Sequence, residues 1–269
     1  AASPSAQALS STALIELPAP PKPIGAWLIS GRRSYFDLLL SSLGGRFTAI
    51  PRFWDVSVLG DVDLGPHDQL RFTALSTDDR LALELKPEDV ANKEFQGEFS
   101  FHTYFGSAGF NWTHQGDGWR SVVTPYTSVL HLDQSFGKGY GISLHPFTVG
   151  LKQDLSLAQG PNEWGLGYGV EHQRYDVFGY TFRRSTGAGS GTSTLSDPAG
   201  LTISADATTA NVYLQDRLRL VRGLHLSAGG RWQRADRMVT ESFDPRVSID
   251  WETTPSTRFS ADWGLYRSE

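Results

Sequence analysis

The chain has no cysteine, a single methionine and no long apolar run, and two of these absences remove whole classes of protein. Without cysteine there is no disulfide framework, thiolate metal site or thiol nucleophile, so zinc fingers, zinc ribbons and cysteine enzymes are excluded together. The longest apolar cluster, Phe36 to Leu40, is interrupted by Asp37, which falls far short of the roughly 20 residues of a membrane-spanning helix. An excess of positive charge is missing as well. The net charge of -5 leaves no basic face to neutralise phosphates, so nucleic acid is not an expected partner. Ala1 to Leu17 carry neither a basic start nor a continuous apolar core, so a secreted or outer-membrane chain is expected here in mature or truncated form.

What is present is apolar and aromatic content, at 39% and 12%, too high for a disordered chain. It is arranged with a period of two in segments of about ten residues, the length a tilted strand needs to cross a bilayer. Between Ala210 and Leu220, Val212, Leu214, Leu218 and Leu220 oppose Asn211, Tyr213, Gln215, Arg217 and Arg219, and Asp216 alone breaks the rule. Leu224, Leu226, Ala228 and Trp232 then oppose His225, Ser227, Arg231 and Gln233. Val247, Ile249 and Trp251 oppose Arg246, Ser248, Asp250 and Glu252, and Phe259, Ala261, Trp263 and Leu265 oppose Arg258, Ser260, Asp262 and Tyr266. Earlier segments repeat the pattern more loosely. Trp54, Val56, Val58, Val62 and Leu64 face away from Asp55, Ser57, Asp61 and Asp63, and Leu70, Phe72 and Ala74 face away from Arg71 and Thr73. With 6–17, 24–33, 104–113, 119–132, 142–157 and 164–180 the count is about twelve strands.

Connections alternate between short and long. Pro18 to Pro23, Gly65 to Asp68, Gln115 to Gly118, Gln159 to Glu163, Arg222-Gly223 and Thr253 to Ser256 are short and rich in turn formers. The long ones span 34–52, 78–103, 133–141, 181–208 and 234–245. Within them, 35–43 reads as a short helical turn or self-packed loop, and 185–200 as a Gly/Ser/Thr-rich exposed loop. Outer-membrane barrels pair short periplasmic turns with longer extracellular loops, so residues 1–269 read as one all-β, antiparallel transmembrane barrel segment whose long loops are extracellular. Trp27, Trp112, Trp119, Trp164 and Trp251 lie close to short turns, where interfacial aromatics of a periplasmic girdle belong. The charged side chains opposite the apolar sets would face the lumen, because Arg or Lys on the lipid side at the bilayer midplane costs ~2–4 kcal/mol. The candidates are Lys152, Glu171, Arg217, Arg219, Arg231, Arg246, Asp250, Glu252, Arg258 and Asp262. The alternative reading of the same residues is a set of paired, solvated ladders that hold the wall together without a ligand.

Motifs for catalysis are lacking. Gly187 to Gly191 has no following Lys-Ser/Thr, Gly165-Leu-Gly-Tyr-Gly lies inside an alternating strand, and no serine elbow occurs. His67, His102, His114, His131, His145, His172 and His225 show no metal-ligand spacing and read as surface or lumen histidines. A non-enzyme without cofactor or resident metal is expected.

The segments STALIELP…IGAWLISGRRSYFDLLL (11–40) and NVYLQDRLRLVRGLHLSAGGRWQ…FDPRVSIDWETTPSTRFSADWGLYR (211–267) resemble the barrel strands of TonB-dependent receptors, with a weaker likeness between 104 and 182. The resemblance implies a barrel of 22 strands around a plug, in the bacterial outer membrane. It implies TonB-driven uptake of a scarce nutrient such as a ferric siderophore, with membrane lipid, the plug, the TonB complex and a small-molecule or metal-chelate substrate as partners. The chain departs from the family in having no plug, no periplasmic coupling motif and no terminal aromatic strand. Its first strand would correspond to the family's second, about nine strands would follow its last, and the sheet is expected to be open. Two other readings share the period-two pattern: a passive porin-like channel and a soluble all-β binding module.

Overall fold

The computed structural model describes residues 10–17, 25–35, 49–85, 97–137, 140–185, 194–237, 240–254 and 256–265. They form one sheet of 12 antiparallel strands in sequence order. The strands are β1 (Ser10–Leu17), β2 (Ala26–Ser34), β3 (Ala49–Asp63), β4 (Asp68–Leu85), β5 (Gly97–Gly116), β6 (Trp119–Phe136), β7 (Tyr140–Gln159), β8 (Asn162–Ser185), β9 (Thr194–Val221), β10 (Leu224–Ala235), β11 (Thr240–Thr254) and β12 (Thr257–Gly264). β1 pairs with β2 and β12 with β11, and the two edge strands do not pair with each other, so the sheet is open.

The register carries each side chain to one face across the whole sheet, because the alternation has a period of two. One row runs Trp112, Val123, Gln153, Tyr168, Val212, Trp232 and Phe243. It starts near the short-turn end of β5 and finishes near the opposite end of β11. This progressive stagger is the tilt that a sheet must have to curl into a barrel wall. Leu214, Leu218, Trp251 and Trp263 lie on the same face as this row, as the alternation predicts.

That face is apolar, and among the described residues nothing covers it. Among the described residues no hydrophobic side chain is buried, while Leu214, Trp251 and Trp263 are 52%, 51% and 61% exposed. The sheet therefore has no hydrophobic core of its own.

The strands are longer than the sequence pattern suggests. Stretches read as long loops are strand: 49–52 in β3, 78–85 in β4, 97–103 in β5, 133–136 in β6, 140–141 in β7, 181–185 in β8, 194–208 in β9, 234–235 in β10 and 240–245 in β11. Most of the Gly/Ser/Thr-rich stretch falls outside the described residues, but Ser185 opposes Thr194 in the β8–β9 ladder. The cause is a reversal of polarity along the strands. On the face that is apolar lower down, β5 passes from Trp112, Phe110 and Ala108 to His102, β7 from Leu151, Val149 and Phe147 to His145, and β8 from Leu166 and Val170 to Arg174 and Asp176. On the other face, β5 turns aromatic at Phe105, Phe101 and Phe99, and β6 turns apolar at Leu130 and Leu132. An apolar stripe on one constant face is thus no guide to where these strands end. The helical turn read at 35–43 and the short connection Pro18 to Pro23 lie outside the described residues, apart from Tyr35.

Tight turns close the hairpins at one end. Gly223 has a φ of 80° and a Cβ there would lie 2.6 Å from the Glu252 carbonyl oxygen, so both conformation and space require glycine. Gly223→Ala is expected to lower stability by about 1–2 kcal/mol, measured as a shift of the urea midpoint for unfolding from micelles.

Candidate functional site

All the charged residues singled out in the sequence share the polar face. Lys152 stands opposite Gly169, Glu171 opposite Thr209, Arg217 opposite Ser227 and Arg219 opposite His225. Arg231 stands opposite Asp244, Arg246 opposite Gly264, Asp250 opposite Ser260, Glu252 opposite Arg258 and Asp262 opposite Ser248. The structure gathers part of this set: Lys152, Arg231, Arg246 and Asp262 line an open cleft of about 500 Å³ together with Asp154 and Tyr213. Glu171, Arg217, Arg219, Asp250, Glu252 and Arg258 lie on the same wall outside the cleft.

Glycines flatten the wall so that long side chains can lie across it. The Tyr126 hydroxyl donates to Glu171, and the Lys152 ammonium sits 4.9 Å from the centroid of the Tyr126 ring. The Tyr213 hydroxyl donates to Asp154. A Cβ at Gly150 would lie 2.3 Å from Tyr126 Cζ, and one at Gly167 would lie 2.2 Å from Tyr213 Cε1. The Gly165, Gly167 and Gly169 spacing therefore makes a groove for Tyr213 and its neighbours. Tyr126, Asp154 and Asp244 were not among the sequence candidates. Their alternation places Tyr126 and Asp154 on the polar face, but nothing local marks the tyrosine as a partner of a carboxylate 45 residues away.

Elsewhere the polar face is knitted by cross-strand pairs: Arg32 to Asp55 at 2.8 Å, Arg71 to Asp61 at 2.6 Å and Arg258 to Asp250 at 2.8 Å. Each is exposed and contributes ~0–1 kcal/mol. Among the described residues, the buried polar atoms left without a partner are Arg217 Nε, Arg231 Nε and Asp244 Oδ1 on this face and Asp216 Oδ1 on the other, and Asp244 is only 8% exposed. Such groups are costly unless water or a ligand group reaches them.

The opposite face has its own order. Trp27, Trp112, Trp119, Trp164 and Trp251 all lie on it, towards the short-turn end. Asp216, the exception in the alternation, stands opposite Trp164 at that same level. Beyond the far edge of the apolar band is a polar network. Asp78 accepts from Arg80 at 2.9 Å and bonds to His102 at 3.1 Å, Asp133 bonds to His145 at 3.1 Å, and the His131 ring lies 4.6 Å from that of His145. Histidines scattered in sequence are thus brought together in space, yet among the described residues no group of three or more His, Asp or Glu is placed to hold a metal. In the turn after β10, the Thr208 backbone N–H donates to Asp236 at 2.7 Å and holds its carboxyl below the usual carboxylate range. A depressed carboxyl contributes stability above the ordinary range near pH 4 that is lost as pH falls through the lowered value. Protection of the Thr208 amide from hydrogen exchange is expected to fall only below about pH 4, and Asp236→Asn to remove that dependence.

A model of the β-barrel of TonB-dependent receptors matches residues 26–266. The chain belongs to this family. No curated protein sequence matches it, but solved structures share the fold of the receptor barrel. The ferripyoverdine receptor of the Pseudomonas aeruginosa outer membrane is similar with a TM-score of 0.69 at 13% identity, covering 94% of this chain and 40% of that one. BauA, the ferric preacinetobactin receptor of Acinetobacter baumannii, gives 0.68 at 11%, covering 94% and 44%. The outer membrane transporter YddB of Escherichia coli gives 0.66 at 12%, covering 91% and 36%. The chain thus spans about two-fifths of the length of these structures, and identities this low speak for the fold alone.

In this receptor barrel, the glycine groove makes a direct prediction. Gly167→Leu is expected to displace the Tyr213 ring and break its bond to Asp154, while Gly179→Leu, where the nearest atom to a Cβ is 3.8 Å away, leaves the wall intact. Ultraviolet resonance Raman of the tyrosine hydroxyl checks the difference.

Proposed function

We propose that this chain forms the wall of an outer-membrane receptor that takes up a scarce nutrient, such as a ferric siderophore, through a plugged barrel driven by the TonB complex. The observation that carries it is the two-faced wall. An uncovered apolar band lies on one face, with charged and tyrosine side chains on the other. Each strand is hydrogen-bonded to its neighbours, apart from the outer sides of β1 and β12, and such pairing within the sheet is the condition for strands to cross lipid. The apolar band then faces lipid with its tryptophans at the periplasmic headgroups, and the charged face lines the lumen and meets the plug. The strand ends with inverted polarity stand above the membrane, presenting Asp, His and Arg to water outside and Phe99, Phe101 and Phe105 to the mouth. Asp216, level with Trp164, sits at headgroup depth, where an acidic side chain costs little.

Two arginine substitutions test the orientation. Val212→Arg places a guanidinium on the apolar face within the band and is expected to cost about 2–4 kcal/mol of folding into bilayers. Asn211→Arg, one residue away on the other face, is expected to cost little. Equal costs would contradict the assignment. Transport is tested by deleting the gene and following iron uptake under iron limitation: a loss reproduced by deleting TonB supports the receptor reading, whereas uptake independent of TonB favours the passive channel.

A further inference from the structure

The charged groups of the polar face fall into two sectors. One spans β2 to β4, with Arg32, Asp55, Asp61 and Arg71, and the other spans β7 to β12, beginning with Lys152, Asp154 and Glu171. Between them, β5 carries no charge on that face from Thr103 to Gln115, and β6 none from Val122 to Phe136. Ser107 stands opposite Ser128, Gly109 opposite Tyr126 and Thr113 opposite Val122, and the Thr124 hydroxyl donates to Asn111 Oδ1 at 2.7 Å. The strip starts below Phe105 and Leu130 and ends at Arg120, beside the short turn. Charges on its two borders are held away from it. Arg71 on β4 bonds to Asp61 on β3 at 2.6 Å, and Asp154 on β7 accepts from Tyr213 on β9.

The one large side chain at mid-strip is also held aside. Tyr126 stands between two glycines, Gly109 on β5 and Gly150 on β7. Neighbouring strands lie about 4.8 Å apart, and more than one χ1 rotamer is open to a tyrosine in a strand, so either glycine offers the ring a floor. It lies on Gly150, where a Cβ would be 2.3 Å from Tyr126 Cζ. At Gly109 the nearest atoms to a Cβ are the Pro125 carbonyl oxygen at 3.0 Å and Tyr126 Cβ at 3.1 Å, so the ring is turned away. Glu171, on the far side of Gly150, accepts the hydroxyl, and the Lys152 ammonium lies 4.9 Å from the ring centroid. Both partners stand on the Gly150 side and select it.

A solute that moves along a wall must be held weakly enough to leave each contact. Charge-assisted hydrogen bonds are the strong contacts of a protein surface, and this strip offers only hydroxyls, amides and glycines. We propose that the transported substrate passes along the β5–β6 strip, over Gly109, and that the bond of Tyr126 to Glu171 keeps that floor clear. This rests on the receptor reading. Tyr126 is a positioning residue, acting through where its ring lies: released from Glu171, the ring covers Gly109 and narrows the path.

The test uses the full-length gene in its own strain, starved of iron. The probe is radioactive iron added to spent medium of the starved parent strain, so that the natural chelator carries it. Maximal uptake rate and half-saturation are read separately, and thermal unfolding in micelles reports misfolding. Tyr126→Phe, which keeps the ring and loses the hydroxyl, is expected to lower the maximal rate about tenfold, the scale of one hydrogen bond to a charged group, with half-saturation unchanged. Glu171→Ala is expected to do the same. Tyr126→Ala, which removes the ring, is expected to transport faster than Tyr126→Phe, and to raise the rate of Glu171→Ala when combined with it. Ser107→Trp, which sets an indole into the strip, is expected to lower the rate more than Ser57→Trp, in the same transverse row two strands away. A Tyr126→Ala chain slower than Tyr126→Phe overturns the proposal, because the tyrosine then serves packing alone. So does failure of Tyr126→Ala to raise the rate of Glu171→Ala, or a Ser107→Trp chain that transports as fast as Ser57→Trp. If the parent shows no TonB-dependent uptake of the probe, the receptor reading itself falls, and the proposal with it.

Discussion

An apolar wall with no protein core behind it must find a cover that is itself apolar. Without one, the exposed leucines, valines and tryptophans of this sheet would drive it to aggregate. The exposure of Leu214, Trp251 and Trp263 sets this constraint, and the rest of the structure follows from it. In the proposed function lipid supplies the cover, and lipid offers no hydrogen bonds. Every backbone group in the band must therefore be paired within the sheet, and the strands must be regular, tilted and joined by turns as tight as Arg222-Gly223. The same constraint drives the charges to the other face. There they need not be buried in pairs, and they can be satisfied by one another, by water or by whatever fills the lumen.

The band also explains the organisation along each strand. Where it ends, the reason for an apolar outward face ends too, and β5 to β9 change character within a few residues. Histidines, aspartates and arginines take outward positions, and on β5 aromatic side chains move inward. One ladder of hydrogen bonds runs through both regions, so the strand is continuous while its environment is not.

This division decides how much could be read from the sequence. Strand number, order, facing and the open sheet were legible because a period of two, apolar on one face and polar on the other, leaves an unmistakable trace in segments such as 210–220 and 246–252. Strand ends were not, because 181–185 and 194–208 combine Gly, Ser, Thr and Asp, a composition shared by loops and by strands that stand in water on their outer side. The charged face was legible residue by residue, but its pairing was not. Tyr126 with Glu171, Tyr213 with Asp154 and the groove under them depend on cross-strand register, which no local pattern encodes. The likeness of 11–40 and 211–267 to TonB-dependent receptors pointed to the family that residues 26–266 match.

The central claim is that the two faces of one strand meet different media, and the absence of cysteine makes it directly measurable. Single cysteines placed in turn at positions 208 to 218, spin-labelled and reconstituted into bilayers, report collision with lipid-soluble oxygen and with a water-soluble nickel complex. Oxygen accessibility is predicted to peak at 210, 212 and 214, nickel accessibility at 211, 213 and 215, with both faces becoming accessible to nickel towards 208. Uniform nickel accessibility along the strand, or oxygen maxima at 211, 213 and 215, would contradict the account.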